Sequence, residues 1–109
     1  PGMFVIRVQG ESMNRRIPNG SWCLFRKIPG GTKNGKVVLV QHSSISDTDH
    51  GGSYTVKVYH SEKRQIGDTL VNEKIILSPD TNAIGYSNIV IKGDDALEFQ
   101  TLGEFIAVL

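Results

Sequence analysis

Apolar and polar positions alternate with a period of two in short runs along the chain, and turn-forming residues separate the runs. Phe4-Val5-Ile6-Arg7-Val8 is β-branched and aromatic apart from Arg7, which predicts a strand with Phe4, Ile6 and Val8 on one face. Trp22 to Arg26 predicts a second. Lys36-Val37-Val38-Leu39-Val40-Gln41-His42 has an unbroken apolar centre, the pattern of a strand buried on both sides. Ser53 to His60 alternates again, with Tyr54, Val56 and Val58 on one face and Thr55, Lys57 and Tyr59 on the other. Glu73 to Ser78, Asn88 to Lys92 and Leu102 to Leu109 complete the set. The closing Phe105-Ile106-Ala107-Val108-Leu109 is apolar enough to need a strand partner, within the domain or in a second copy.

The intervals carry the punctuation. Gly10 to Asn14 turns and opens at most one helical turn with Ser12 as its N-cap, and Pro18-Asn19-Gly20 turns again. Pro29-Gly30-Gly31, Lys33-Asn34-Gly35 and Gly93-Asp94-Asp95 break the chain, and Pro79-Asp80-Thr81-Asn82 is a strong turn signal. Ser43 to Gly52 is polar apart from Ile45 and reads as an exposed excursion. Ser61 to Asp68 reads as a polar loop rather than a tight hairpin. No segment shows a helical apolar stripe. These patterns predict an all-β (mainly β) domain of six to eight short strands, with at most one or two helical turns, occupying residues 1–109 as a single unit.

Composition narrows the function classes. Hydrophobic residues at 39% and charged residues at 21% are those of an ordinary globular chain, and 109 residues suffice for one core but not two. No apolar run approaches the roughly 20 residues that cross a bilayer, and no charged leader precedes a signal-type core, so a soluble domain without a membrane anchor is expected. A net charge of +1 provides no broad attraction for nucleic acid. Arg15, Arg16, Arg26 and Lys27 form the nearest thing to a basic cluster and read as a solvated face. The single cysteine, Cys23, excludes an internal disulfide and, inside an apolar strand with no base partner, reads as a core thiol suited to a reducing compartment. His42, His50 and His60 are too scattered for a zinc pattern, and the glycine pairs match no phosphate loop, so neither metal nor cofactor is expected. The start at Pro1-Gly2-Met3, with alternation under way by Phe4, reads as a domain cut from a longer polypeptide.

The candidate chemistry lies in Val8-Gln9-Gly10-Glu11-Ser12-Met13-Asn14-Arg15-Arg16-Ile17-Pro18-Asn19-Gly20. A serine is a poor nucleophile at neutral pH unless a second group takes its proton. Lys57, mid-strand in Tyr54-Thr55-Val56-Lys57-Val58-Tyr59, is the candidate base, rigidly held by backbone hydrogen bonds on either side. Only the free amine can accept that proton, and a lysine with its ordinary pKa near ~10.4 is almost wholly protonated at neutral pH. Burial disfavours the charged form, and the apolar neighbours Val56 and Val58, with Tyr54 and Tyr59 near, are suited to supply it. The backbone N–H groups of Ser12 and Met13 suit a developing oxyanion, and Gly10 allows a substrate backbone to approach closely. Taken singly, a serine in such a turn is more often a turn or cap serine than a nucleophile, and a lysine at such a position more often an exposed strand lysine than a base.

Arg7-Val8-Gln9-Gly10-Glu11-Ser12-Met13 followed by Ile17-Pro18-Asn19-Gly20 resembles the nucleophile segment of the LexA, UmuD and phage-repressor peptidase domains. Asn34 to Val40 resembles that family's central strand, Tyr54-Thr55-Val56-Lys57 its general-base strand, Leu77 to Asn82 the turn after the base, and Leu102 to Val108 its closing strand. The match keeps its order over nearly the whole chain. The resemblance implies a β-clip fold and a Ser-Lys dyad of Ser12 and Lys57, with Ser12 and Met13 N–H as oxyanion donors. It also implies a cytoplasmic homodimer that cleaves a segment of its own chain or its mate through an acyl-enzyme, in transcription regulation of the SOS-response type. DNA would be reached only through a domain absent from this chain. Val58 and Ser21 depart from the family pattern, which often has Arg after the lysine and Asp after the glycine. The Ser43 to Gly52 loop is longer than in LexA itself. A second reading is a catalytically silent dimerisation or sensing module of a phage-repressor-like regulator. A third is a type I signal peptidase, which shares Ser-Lys chemistry but needs a membrane segment.

Overall fold

The computed structural model describes residues 2–27, 33–42, 45, 54–93 and 99–109, with Asn72 as backbone only. Seven strands lie within them: β1 Met3–Val8, β2 Ser21–Arg26, β3 Val37–Gln41, β4 Tyr54–Ile66, β5 Thr69–Ser78, β6 Ile89–Lys92 and β7 Gln100–Val108. They form one antiparallel sheet in the order β1-β2-β7-β3-β4-β5-β6, and the protein is all-β. Among the described residues no helix is long and apolar enough to cross a membrane.

The C-terminal strand is the bracket of the sheet. β7 inserts between β2 and β3, so the apolar chain end finds its partners within the domain. The two pairings each shift register, leaving Leu102 and Ile106 as the extra residues on β7. Such bulges bend a strand and sharpen its twist, which suits a strand joining two halves of a curved sheet. Gly103 lies between them, buried, where a Cβ would stand 2.6 Å from the Phe4 ring. Phe4 stacks on Phe25 at 5.8 Å, and Phe25 meets Phe105 edge-on at 6.0 Å.

β3 is buried on both faces, as its unbroken apolar run predicts. Val37 and Leu39 pack with Val8, Met13, Ile17, Cys23, Phe25 and Val56. Val38 and Val40 pack on the other side with Ile45, Tyr59, Ile75, Leu77 and Ile91. β4 pairs with β3 along Tyr54 to Val58, with Lys57 opposite Val38.

Two expectations from the sequence are corrected. Ser61 to Asp68 is not a loop: β4 continues to Ile66, and Gly67-Asp68 closes a tight hairpin onto Thr69. Gly67 has φ +58 and Asp68 does not have positive φ, the arrangement of a two-residue II′ turn. Residues 62–70 are exposed, so neither face selects for apolar side chains and no alternation marks the strands. Nor does Ser12 cap a helix. Asn14 N–H donates to Glu11 O and Arg15 N–H to Asp80 O, leaving the Ser12 hydroxyl for another partner. The Ser43 to Gly52 excursion lies outside the described residues apart from Ile45, which is buried.

Candidate active site

Between β1 and β2 the chain makes a compact turn whose two ends are tied together. Gly20 N–H donates to Val8 O at 2.8 Å, and Gly10 N–H donates to Asn19 Oδ1 at 2.7 Å. Gly10 has φ +93 and Gly20 φ +82, conformations that favour glycine. Met13 and Ile17 are buried in the first core cluster and anchor the turn from beneath. Within it, the N–H groups of Asn14, Arg16 and Ile17 are satisfied by Glu11 and Met13 carbonyls. Among the described residues no backbone carbonyl receives the N–H of Ser12 or of Met13.

The segment after β5 grips this turn from one side. Asp80 N–H donates to Ser12 O at 2.9 Å and Asp80 O accepts from Arg15 N–H at 3.1 Å. Thr81 Oγ1 donates to Glu11 O at 2.5 Å. Asn14 Nδ2 donates to Asn82 Oδ1 at 2.7 Å, and Asn82 N–H returns a bond to Asn14 Oδ1 at 3.1 Å. The Asp80 carboxylate pairs with Arg16 at 2.6 Å, with Arg15 at 3.8 Å. Arg26 pairs with Glu104. Three of the four cations of the predicted basic face therefore stand in surface ion pairs.

Lys57, the fourth residue of β4, reaches the turn. Its Nζ lies 3.0 Å from Ser12 Oγ, and both residues are buried, Ser12 3% and Lys57 4% exposed. Nζ also lies 2.6 Å from Thr55 Oγ1 and 3.2 Å from Val56 O. Thr55 went unnamed as a site residue in the sequence, although alternation already puts it on the Lys57 face.

The Peptidase S24-like family model matches residues 1–103. The chain belongs to this family. No curated protein and no solved structure gave a match.

Within this S24-like domain Cys23 is fully buried with Sγ 3.7 Å from Ser21 O, and burial pushes its thiol up, away from the reactive thiolate. His42 is buried and stacked on Phe99, His60 is exposed on β4, and His50 lies outside the described residues. Gly10 sits two residues before Ser12, partly buried at the mouth of the turn.

Proposed function

We propose that the domain is a Ser-Lys peptidase in which Ser12 is the nucleophile and Lys57 the general base. The observation that carries this reading is the 3.0 Å approach of Nζ to Oγ in a water-poor setting. A neutral amine has two N–H donors and one lone pair. Val56 O and Thr55 Oγ1 stand beside Nζ as acceptors for its N–H groups, and the Ser12 hydroxyl stands within reach of its lone pair. Burial favours this uncharged form.

In the proposed mechanism Lys57 takes the Ser12 proton as Oγ attacks the substrate carbonyl. Ser12 and Met13 N–H groups receive the oxyanion, and Gly10 leaves room for the substrate backbone. The lysine then returns the proton to the leaving amine, giving an acyl-enzyme and a shortened chain. Water, deprotonated by the same amine, releases the acyl group. The substrate is a segment of the protein's own polypeptide or of a dimer mate, and DNA binding belongs to another domain. Val5 and Trp22, exposed on the outer face of β1 and β2, support a dimeric state.

The test uses protein expressed from its complete reading frame and incubated at raised pH, with fragments identified by mass spectrometry. Ser12→Ala and Lys57→Ala are each expected to lower cleavage by at least about 10³-fold while keeping the β-sheet circular dichroism. Cleavage at the parental rate in either variant rejects the dyad. The competing reading, a catalytically silent module, draws on the burial of Ser12 at 3% exposure, which closes the hydroxyl to bulk solvent. An intact chain at every pH would favour it.

A further inference from the structure

We infer that Asp80 and Thr81 are positioning residues for the oxyanion donors, holding from behind the two peptide groups whose N–H bonds belong to Ser12 and Met13. The inference rests on the peptidase reading above. A peptide group is planar and trans, so its C=O and N–H point in opposite directions. The Ser12 N–H shares its plane with the Glu11 carbonyl, and the Met13 N–H shares its plane with the Ser12 carbonyl. Thr81 Oγ1 donates to the first carbonyl at 2.5 Å, and Asp80 N–H donates to the second at 2.9 Å. Both carbonyls are thereby held toward the segment after β5. Both N–H groups are turned away from it.

The Thr81 hydroxyl is itself directed. Its oxygen accepts Ala83 N–H at 3.0 Å, which leaves its proton for Glu11 O. Asp80 reinforces the hold through its own carbonyl, which receives Arg15 N–H, and its carboxylate, which meets Arg16. The Asn14–Asn82 pair closes the same seam. Within the turn, Asn14 N–H at 3.2 Å also holds the Glu11 carbonyl, whereas the Ser12 carbonyl receives its backbone hydrogen bond from Asp80, so residues 80 and 81 add a hold from outside the turn. Donors already aimed when charge develops need no reorientation in the transition state, so loosening one plane slows the chemical step.

The test compares Thr81→Val, which removes the hydroxyl at nearly constant volume, with Thr81→Ser, which keeps it, in protein from the complete reading frame. Two quantities are read: the first-order self-cleavage rate against pH, and the carbonyl-carbon NMR shift of Glu11, which reports its hydrogen bond. Thr81→Val is expected to cleave about tenfold more slowly at every pH, with the pH midpoint unmoved. Its Glu11 carbonyl signal moves upfield, and Thr81→Ser behaves as the parent. A parental rate in Thr81→Val, equal losses in both variants, or a shifted pH midpoint would overturn the inference. If the parental chain does not cleave at all, the peptidase reading falls, and the Glu11 signal still decides the hold: a shift in Thr81→Val retains it, an unchanged signal removes it.

Discussion

Lys57 Nζ lies 3.0 Å from Ser12 Oγ although 45 residues separate them along the chain. The approach is set by two unrelated anchors. β4 pairs with β3 at Lys57 itself, opposite Val38, and with β5 from the next residue, Val58, which fixes the lysine backbone. Met13 and Ile17, sunk into the core, fix the serine turn.

The first prediction concerns pH. Only the neutral amine can act as base, so the self-cleavage rate should rise about tenfold per pH unit until the amine is deprotonated, then level off. Thr55 Oγ1 accepts from Nζ and so favours the charged ammonium. Thr55→Val removes that acceptor and should move the midpoint of the pH–rate curve to lower pH. A midpoint that stays or rises would show that Thr55 does not bond the ammonium.

Packing at Gly103 yields the second. A Cβ there would stand 2.6 Å from Phe4 Cζ and 3.2 Å from the Arg26 carbonyl, and the carbonyl belongs to a paired strand. Gly103→Ala should lower unfolding stability by about 1–3 kcal/mol in urea titrations. Much of the loss should disappear in a Phe4→Leu background, whose side chain is shorter. An equal loss in both backgrounds would place the clash elsewhere.

Glu104 offers a test of linkage. The hydrogen bond from Arg26 holds its carboxyl below the ordinary range against the opposing effect of desolvation, with Lys36 assisting. A folded-state pKa below the unfolded one contributes stability that is present above the unfolded value and lost as pH falls through the folded value. Glu104→Gln should therefore lower Tm near neutrality by no more than about 1 kcal/mol equivalent, because Arg26 is half exposed. As pH falls through the lowered folded-state pKa of Glu104 the two melting curves should converge. A difference that persists in acid would mean that packing, rather than charge, is lost.

Cys23 is predicted to resist labelling. It is fully buried and its thiol is pushed up by burial, so a disulfide-exchange reagent should react only as the protein unfolds. Labelling that tracks the denaturant transition would agree. Rapid reaction in buffer would show local opening of β2.

What could be read in the linear chain was whatever leaves a local period. Val37 to Val40 advertises a strand with apolar matter on both faces, and β3 is that strand. The alternation in β4 places Thr55, Lys57 and Tyr59 on one face before any coordinate is known. The family resemblance pointed to Ser12 and Lys57, and the family itself is shown over residues 1–103.

Other features leave no local trace. The outer half of the β4–β5 hairpin is solvated on both faces, so its sequence has no alternation and mimics a loop. The insertion of β7 between β2 and β3 is a choice among apolar strands of similar composition, settled by bulges at Leu102 and Ile106 and by Phe4 filling the space over Gly103. The grip of residues 80–82 on the Ser12 turn depends on polar groups that read, one at a time, as ordinary turn residues. Periodicity determined which half-buried stretches extend and which of their faces seek burial, but not the solvated half of the β4–β5 hairpin. Only the tertiary structure decided which distant groups meet, because hydrogen bonds across the sheet depend on long-range register that no local pattern encodes.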